Sequence, residues 1–174
     1  MSENRWLRLE RLIGVPYSQS EAELDESDPW RYTNLLINSH NDHWNEVLEP
    51  SWLLAPDESM APWTANEGTK PTDIPFLSNV PRKPKPLGGE LKATCDGESG
   101  AVIRLEWALC NKRRRSDPQV EGQFEDEWGA GPAQLLRLVE PWHGTNRCVG
   151  GDAHFISVKS LEAGRAHVSY HTCT

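Results

Sequence analysis

The sequence lacks the cysteine spacing of a zinc ribbon or of a disulfide-rich domain. Its four cysteines are far apart and form no CxxC pair, which favours buried, reduced thiols. They are Cys95, Cys110, Cys148 and Cys173. No run of eighteen apolar residues is present, and the first residues do not have the charged-then-apolar order of a secretory signal. We therefore expect a soluble, intracellular protein with no membrane partner.

Common signatures of nucleophilic catalysis and of zinc binding are also missing. No Gly-x-Ser-x-Gly segment occurs, and no cysteine has a partner that would activate it. His40 and His43 could share a helix face, and His167, His171 and Cys173 lie near one another in the chain. Neither set has a fourth ligand at a suitable spacing, so ordinary surface or core-edge histidines are the favoured interpretation.

Charge is unevenly distributed along the chain. The net charge of −8 would repel a polyanion if it were spread evenly. Acidic residues are concentrated in segments 21–28 and 121–127, and a basic stretch lies between them. Its residues Arg82, Lys83, Lys85 and Lys92 are candidate nucleic-acid contacts. A second basic run, residues 112–115, is either a nuclear-localisation or phosphate-contacting segment or, more commonly, solvated loop charge.

The hydrophobic pattern divides the chain into an N-terminal helical segment, residues 1–50, and an α/β region, residues 51–174. In the first region, an acidic linker at 18–28 separates a short helix from a longer one that starts after Asp28 and ends at Pro50. The longer helix leads into an apolar run that predicts a buried strand ending on Asp57.

The second region predicts strands alternating with helices. A hairpin is expected from strands 91–95 and 102–109, joined by turn residues Asp96 and Gly97. The other predicted elements are a loop at 66–86, a charged insertion at about 111–129, a helix at 132–140, a weak strand at 147–152, a helix at 157–163 that stops at Gly164, and a last strand at 166–171. This is the order of the first five strands of an RNase H-like mixed sheet, in which the first and fourth strands are adjacent and parallel.

Several motifs, in this order, resemble the piggyBac transposable-element-derived domain. The resemblance extends from about residue 30 to residue 163. The motifs are Pro-Asp-Glu-Ser-Met-Ala-Pro-Trp at 56–63, Arg-Lys-Pro at 82–84, Cys-Asp-Gly at 95–97, Arg-Leu-Glu at 104–106, Glu-Pro-Trp at 140–142 and Gly-Asp at 151–152. Each is weakly specific by itself, but their order and spacing together are specific.

The resemblance implies transposition of DNA by a DDE site that binds two metal ions. Asp57 matches the first catalytic aspartate of that family and Asp152 the second, and both are the implied metal ligands, with Mg²⁺ as the implied ion. A third aspartate is expected after the fifth strand, where this sequence has no such segment. The resemblance further implies transposon-end DNA as partner, a nuclear location and a possible homodimer. Gly150, Gly151 and His154 depart from the family pattern.

Other interpretations of these residues remain open. Asp57 and Asp152 could be simple turn or capping carboxylates, and Asp96 is best explained as a turn residue. Trp63 and Trp128, in predicted loops, could stack on bases, although tryptophan is more often packed in a core. Three hypotheses are therefore carried forward. The first is a truncated, catalytically incomplete transposase domain, and the second is a domesticated, non-catalytic module that binds DNA or protein. The third is a structural protein with no ligand.

Overall fold

The computed structural model describes residues 31–63, 77–108, 124–167 and 171–172. The helices are α1 (Arg31–Val47), α2 (Glu125–Trp128), α3 (Ala130–Leu138) and α4 (Val158–His167), with a 3-10 turn at Glu140–Trp142. The strands are β1 (Leu53–Pro62), β2 (Ser78–Asn79), β3 (Leu87–Asp96), β4 (Val102–Trp107), β5 (Cys148–Val149) and β6 (His171–Thr172).

The chain forms two compact units, residues 1–39 and 40–174. The described part of the first unit is the beginning of α1, in which Ile37 is buried. The long helix predicted before Pro50 is thus confirmed. Its expected cap at Asp28, the acidic linker and the short first helix lie outside the described residues.

The strands of the second unit form one mixed sheet in the order β2-β3-β1-β5-β6, and β4 also pairs with β3. β1 and β3 are antiparallel, and so are β3 and β4. β5 runs parallel to β1 on one side and to β6 on the other. The central order β4-β3-β1-β5-β6 is the expected RNase H-like arrangement, with the first long strand and β5 side by side.

The ladder between β1 and β3 is longer than the sequence predicts. It runs from Leu54 opposite Asp96 to Pro62 opposite Gly88, so Asp57 lies in the middle of a strand and the prediction that it ends one was wrong. Likewise, β3 begins at Leu87, before the predicted strand at 91–95. A Cβ atom on Gly88 would lie 2.2 Å from the Ala61 carbonyl oxygen, so the backbones approach closely where only glycine fits.

The prolines of β1 obscure this strand in the sequence, because proline normally ends one. The carbonyl groups of Trp52 and Leu54 accept hydrogen bonds from Cys148 and Gly150, so the even-numbered residues of this strand direct their backbone N–H and C=O groups towards β5. Pro56 and Pro62 are also even-numbered. Their missing N–H groups therefore point away from β3, and the β1–β3 ladder keeps its hydrogen bonds.

The core lies on one face of the sheet, beneath α3. It consists of Leu54, Ile103, Leu135, Leu138, Val139, Trp142, Val149 and Phe155. Trp44, Leu48, Ala101 and Ile156 pack against it. Trp52, which precedes the first residue of β1, is 58% exposed. Trp128 lies in α2 and donates from Nε1 to His167 Nε2 at 3.0 Å.

Two buried polar contacts attach α3 to the sheet. Thr94 Oγ1 on β3 donates to the Leu138 carbonyl oxygen at 2.9 Å. Arg137, 5% exposed, donates from Nε and Nη2 to the two carboxylate oxygens of Glu106 on β4, at 3.2 and 2.8 Å. Because each contact pairs a donor with an acceptor, these buried polar groups are compatible with the apolar core around them.

The C-terminal elements differ from the prediction. α4 continues through Gly164 to His167, so neither the helix stop at Gly164 nor a strand at 166–167 is correct. Gly164 is buried, and its neighbour Ala163 packs against Leu136 of α3. Burial against a second helix therefore overrides the weak helix propensity of glycine. Residues 168–170 lie outside the described chain, and β6 follows at His171–Thr172.

Several other expectations concern loops and thiols. Residues 64–76 and 109–123, which include most of the predicted loop and insertion, are not described, and β2 and α2 lie in the described remainder of these segments. Cys148 is buried, as expected, and Cys95 is partly buried, whereas Cys110 and Cys173 lie outside the described residues. No helix within the described ranges is long and apolar enough to cross a membrane.

Asp96 connects the end of β3 to the start of β1. It is only 5% exposed, and its carboxylate accepts hydrogen bonds from the backbone N–H groups of Ser51 at 2.7 Å and Ser99 at 2.8 Å, and from the Ser99 hydroxyl. These hydrogen bonds hold the pKa of Asp96 far below its ordinary value, since they stabilise the ionised form. The predicted turn residue is therefore also a link between two strands.

Replacing this carboxylate should destabilise the fold. Because hydrogen bonds to a charged group contribute about 1.5–3 kcal/mol, we expect Asp96→Asn to lower the free energy of unfolding at neutral pH by an amount of this order. A pKa that is lower in the folded than in the unfolded chain stabilises the fold above the ordinary value of 3.8. The difference between wild type and variant should therefore shrink as the pH falls below that value.

Urea unfolding followed by tryptophan fluorescence at several pH values measures this difference. Glu98→Gln is the matched control, because Glu98 is an exposed acid in the same turn. Equal loss of stability in the two variants would contradict the proposed link.

Candidate functional site on the central strands

Asp57 is exposed on the face of β1 opposite the core. Residues of β1 alternate between the two faces of the sheet, with Leu54, Pro56 and Glu58 buried and Asp57 and Ser59 exposed. The Oδ1 atom of Asp57 accepts a hydrogen bond from the backbone N–H of Glu58 at 2.7 Å. The neighbouring carboxylates Asp57 and Glu58 therefore have opposite environments.

Asp152 lies in the turn that follows β5. Its Oδ1 atom accepts a hydrogen bond from the backbone N–H of His154 at 2.9 Å. Its carbonyl oxygen accepts two more, from Phe155 at 3.1 Å and Ile156 at 2.9 Å. Because the Phe155 side chain is only 2% exposed, this turn is fixed to the core directly after the carboxylate. The predicted strand ends earlier than expected, at Val149.

Parallel pairing of β1 with β5 brings the segments that carry Asp57 and Asp152 alongside each other. Leu54 is opposite Val149, and each aspartate is three residues beyond that pair. The two segments stay together past the paired residues, since Gly150 donates to the Leu54 carbonyl oxygen at 2.9 Å. A Cβ atom on Gly151 would lie 3.4 Å from Pro56. The glycines that weaken the strand prediction are thus where the backbone of this segment approaches β1.

The pair fits a hard divalent cation in its chemistry but gives a small set of ligands. Carboxylate oxygens are the ligands that Mg²⁺ prefers, and the hydrogen bonds described above involve only one oxygen of each aspartate. Within the described parts of the chain, no group of three or more His, Cys, Asp or Glu side chains could hold a metal ion. Asp57 and Asp152 would therefore hold a cation with few protein ligands besides themselves.

The histidines considered as metal ligands have other surroundings. His40 and His43 both contact the Trp44 ring, with ring centroids 6.2 and 6.0 Å away. Burial lowers the pKa of His40. His167 contacts Trp128, and the side chains of His171 and Cys173 lie outside the described residues.

A buried ion pair lies beneath the aspartates, on the core face of the sheet. Glu58 is 8% exposed and Lys92, its cross-strand partner on β3, is 3% exposed. Lys92 Nζ is 3.1 Å from Glu58 Oε2 and 2.7 Å from Glu90 Oε1. It is also 3.3 Å from His154 Nε2. Lys92 is therefore buried, and its ammonium group contacts side chains of this chain. The prediction that it contacts nucleic acid is corrected, because a buried ammonium group cannot reach a phosphate.

Sequence reasoning missed this cluster, although a signal was present. Strand alternation puts Glu58 on the same face as Leu54, and a buried carboxylate requires a cationic partner. The partner could not be identified without the pairing register, because β1 continues past the residue at which the sequence predicts its end.

The other three candidate nucleic-acid contacts lie in the turn between β2 and β3, residues 80–86, which we call the basic turn. Arg82 forms an ion pair with Glu58, and Lys83 Nζ donates to the Glu58 carbonyl oxygen at 3.1 Å. Lys85 is exposed. A shallow groove next to it is lined by Lys83, Pro84 and Lys85 on one side and by Glu58, Ser59, Met60 and Pro62 of β1 on the other. The basic turn is thus attached to β1 at the residue that follows Asp57.

The chain is similar to known proteins in sequence and in fold. Residues 1–174 match the family described as Transposase IS4. The fold is similar to that of a piggyBac transposase, solved by cryo-electron microscopy as a synaptic complex with hairpin DNA, with a TM-score of 0.59 and 20% sequence identity. The match covers 99% of this chain and 33% of that one, so this chain spans about a third of its length. No curated protein matches the chain.

The pKa of the Cys95 thiol depends on burial and on the charge of Asp57. Cys95 is partly buried on β3, on the same face as Asp57 and diagonally across from it. Burial raises the pKa of the Cys95 thiol, and the negative charge of Asp57 raises it further. We therefore expect Asp57→Asn to lower the pKa of Cys95 while leaving it above the ordinary thiol value, because burial remains.

The rate of iodoacetamide alkylation as a function of pH, followed by mass spectrometry of the Cys95 peptide, measures this shift. Asp126→Asn, which removes an exposed charge on α2, should leave the profile unchanged. Identical profiles for wild type and Asp57→Asn would mean that Asp57 lies too far away to affect the thiol.

Proposed function

This chain belongs to the Transposase IS4 family, and we propose that it is the part of a piggyBac-type DDE transposase core that binds metal and DNA, with an incomplete set of catalytic acids. The observation that carries this proposal is the matched position of Asp57 and Asp152 on adjacent parallel segments. The pairing of β1 with β5 supports a shared ligand for these two carboxylates, which are more than ninety residues apart in the chain.

The chemistry follows from what a phosphodiester requires. Cations bound here would supply activation of the attacking oxygen and stabilisation of the leaving oxygen, as in other two-metal sites. Asp57 and Asp152 would supply the carboxylate oxygens that hold the first cation, which we take to be Mg²⁺. The second cation requires a further acid, so we infer weak binding of the second ion and little strand cleavage by this chain alone.

The DNA partner is inferred from the basic turn and from the structural relative, whose complex contains hairpin DNA. Arg82 and Lys83 are held against β1 next to Asp57, and Lys85 borders the same groove. A phosphate in that groove would lie close to the paired aspartates. Because the net charge is −8, binding depends on this local cluster and not on the whole surface.

A nuclear location and pairing with a second copy complete the proposal. The family resemblance supports both. The basic run at 112–115 supports nuclear import, although it lies outside the described residues.

The metal proposal predicts that either aspartate alone is insufficient for cation binding. We expect Mn²⁺, used as the probe for Mg²⁺, to bind the wild type. Asp57→Asn and Asp152→Asn should bind it at least about tenfold more weakly, because loss of a ligand should cost no less affinity than loss of a residue that hydrogen-bonds to a ligand. Loss of the free Mn²⁺ signal in electron paramagnetic resonance spectra measures the affinity. Asp126→Asn is the charge-matched control.

Failure of the wild type to bind Mn²⁺ would overturn the metal site. Filter binding of a DNA duplex with and without Mg²⁺ then separates the two functions. A transposase remnant needs the cation for tight binding, whereas equal binding without it supports a non-catalytic module. Efficient nicking of supercoiled plasmid by the chain alone would contradict the inferred incompleteness.

The basic turn predicts a measurable salt effect on DNA binding. Removing one cation that neutralises a phosphate lowers the slope of log affinity against log salt by about one, so Lys85→Gln should reduce the slope by that amount. Lys159→Gln is the control, since Lys159 is exposed on α4. Fluorescence anisotropy of a labelled duplex at several salt concentrations gives both slopes. Equal slopes in the two variants would remove Lys85 from the interface.

A further inference from the structure

We propose that His154 is a positioning residue that holds the Asp152 turn beside β1 through a hydrogen bond from buried Lys92. The inference rests on the proposed metal site, because the turn matters for function only if Asp152 binds a cation. His154 departs from the pattern of the family that the chain resembles, and nothing in the sequence assigns it a role.

The hydrogen-bond capacity of Lys92 carries the argument. An ammonium group has three N–H donors and no acceptor. The Lys92 ammonium has three acceptors within reach, namely Glu90 Oε1 at 2.7 Å, Glu58 Oε2 at 3.1 Å and His154 Nε2 at 3.3 Å. Since Lys92 is 3% exposed, water is not a ready substitute for any of them. His154 therefore provides the third acceptor of a buried cation.

This contact also determines the state of the imidazole ring. Because Lys92 can only donate, the Nε2 atom of His154 must accept and the ring proton must lie on Nδ1. Protonated histidine would have no lone pair to offer. The ring is further placed by Phe155, whose ring centroid is 5.0 Å away in an edge-on arrangement. The same Phe155 ring lies 5.5 Å from Lys92 Nζ, within range of a cation–π interaction.

His154 can act on Asp152 because the two belong to one tight turn. The backbone N–H of His154 donates to Asp152 Oδ1, so movement of residue 154 moves a hydrogen-bond partner of the carboxylate. On the other side of Asp152, Gly150 and Gly151 have no side chains that could hold the turn. After Asp152, His154 contacts Lys92, while Phe155 lies in the core and Ile156 packs against it.

The network reaches the basic turn as well. Glu58, which accepts from Lys92, also pairs with Arg82, and its carbonyl oxygen accepts from Lys83. One buried carboxylate next to Asp57 is thus connected to the turn that carries Asp152 and to the turn that would contact DNA. Outer partners of this kind commonly change metal affinity by about 10–100-fold when they are removed.

The test compares two variants of His154 in the full chain. His154→Leu removes the acceptor, and His154→Gln keeps one in its side-chain carbonyl oxygen. Because His154 is exposed, both variants should fold, and circular dichroism checks this. We expect His154→Leu to bind Mn²⁺ about tenfold more weakly than the wild type and His154→Gln to remain within about threefold of it. A merely structural role would not produce this difference between two folded variants.

Amide hydrogen exchange of residues 153–156 is the second measurement and does not depend on metal. His154→Leu should exchange faster in this segment than the wild type and His154→Gln should not. Equal exchange in the three proteins, or equal loss of Mn²⁺ affinity in both variants, would overturn the positioning role. Absence of Mn²⁺ binding by the wild type would instead overturn the proposed function, and the exchange data would still decide whether His154 holds the turn.

Discussion

The opposite orientation of two neighbouring carboxylates, Asp57 and Glu58, is the constraint on which the rest of this structure depends. Strand geometry sends one to solvent and the other to the core face. A buried carboxylate is tolerated only with a cationic partner, and Lys92 on β3 is that partner. Breaking such a pair by removing one member typically costs about 3–5 kcal/mol, because the other charge stays buried.

The hydrogen bonds of Lys92 connect several segments of the chain. Glu90 on the same strand and His154 in the turn after β5 complete its hydrogen bonds. Through them, an ion pair beneath the sheet is linked to the segment that carries Asp152. The exposed site and the buried network are therefore two faces of the same strand pair. Asp57 lies on the solvent-exposed face of this strand pair, and the ion pair of Glu58 with Lys92 lies on the buried face.

The basic residues on the surface are concentrated in one segment. An acidic chain repels DNA in general, and binding requires a place where cations are concentrated and held. In the basic turn, Arg82 and Lys83 contact Glu58, so these two cations are held against β1. Of the four basic residues that the sequence predicts as nucleic-acid contacts, Lys92 is the one whose side chain is buried.

Much of the fold could be predicted because its signals are local. The leucine pattern of α3 and the turn chemistry of Asp96 are visible within a few residues and are found in the structure. The motif Asp57-Glu58 and its strand also suffice to predict two different environments for the two acids. What the sequence by itself determined is thus the identity of the elements and the residues able to do chemistry.

Only the tertiary structure decided how those residues meet. The length of β1 depends on a pairing with β3 that tolerates Pro56 and Pro62, and the continuation of α4 past Gly164 depends on burial against α3. The pairing of β1 with β5 and the contact between Lys92 and His154 join segments that are distant in the chain. Such contacts depend on register and on the closing of long loops, which local propensity does not encode.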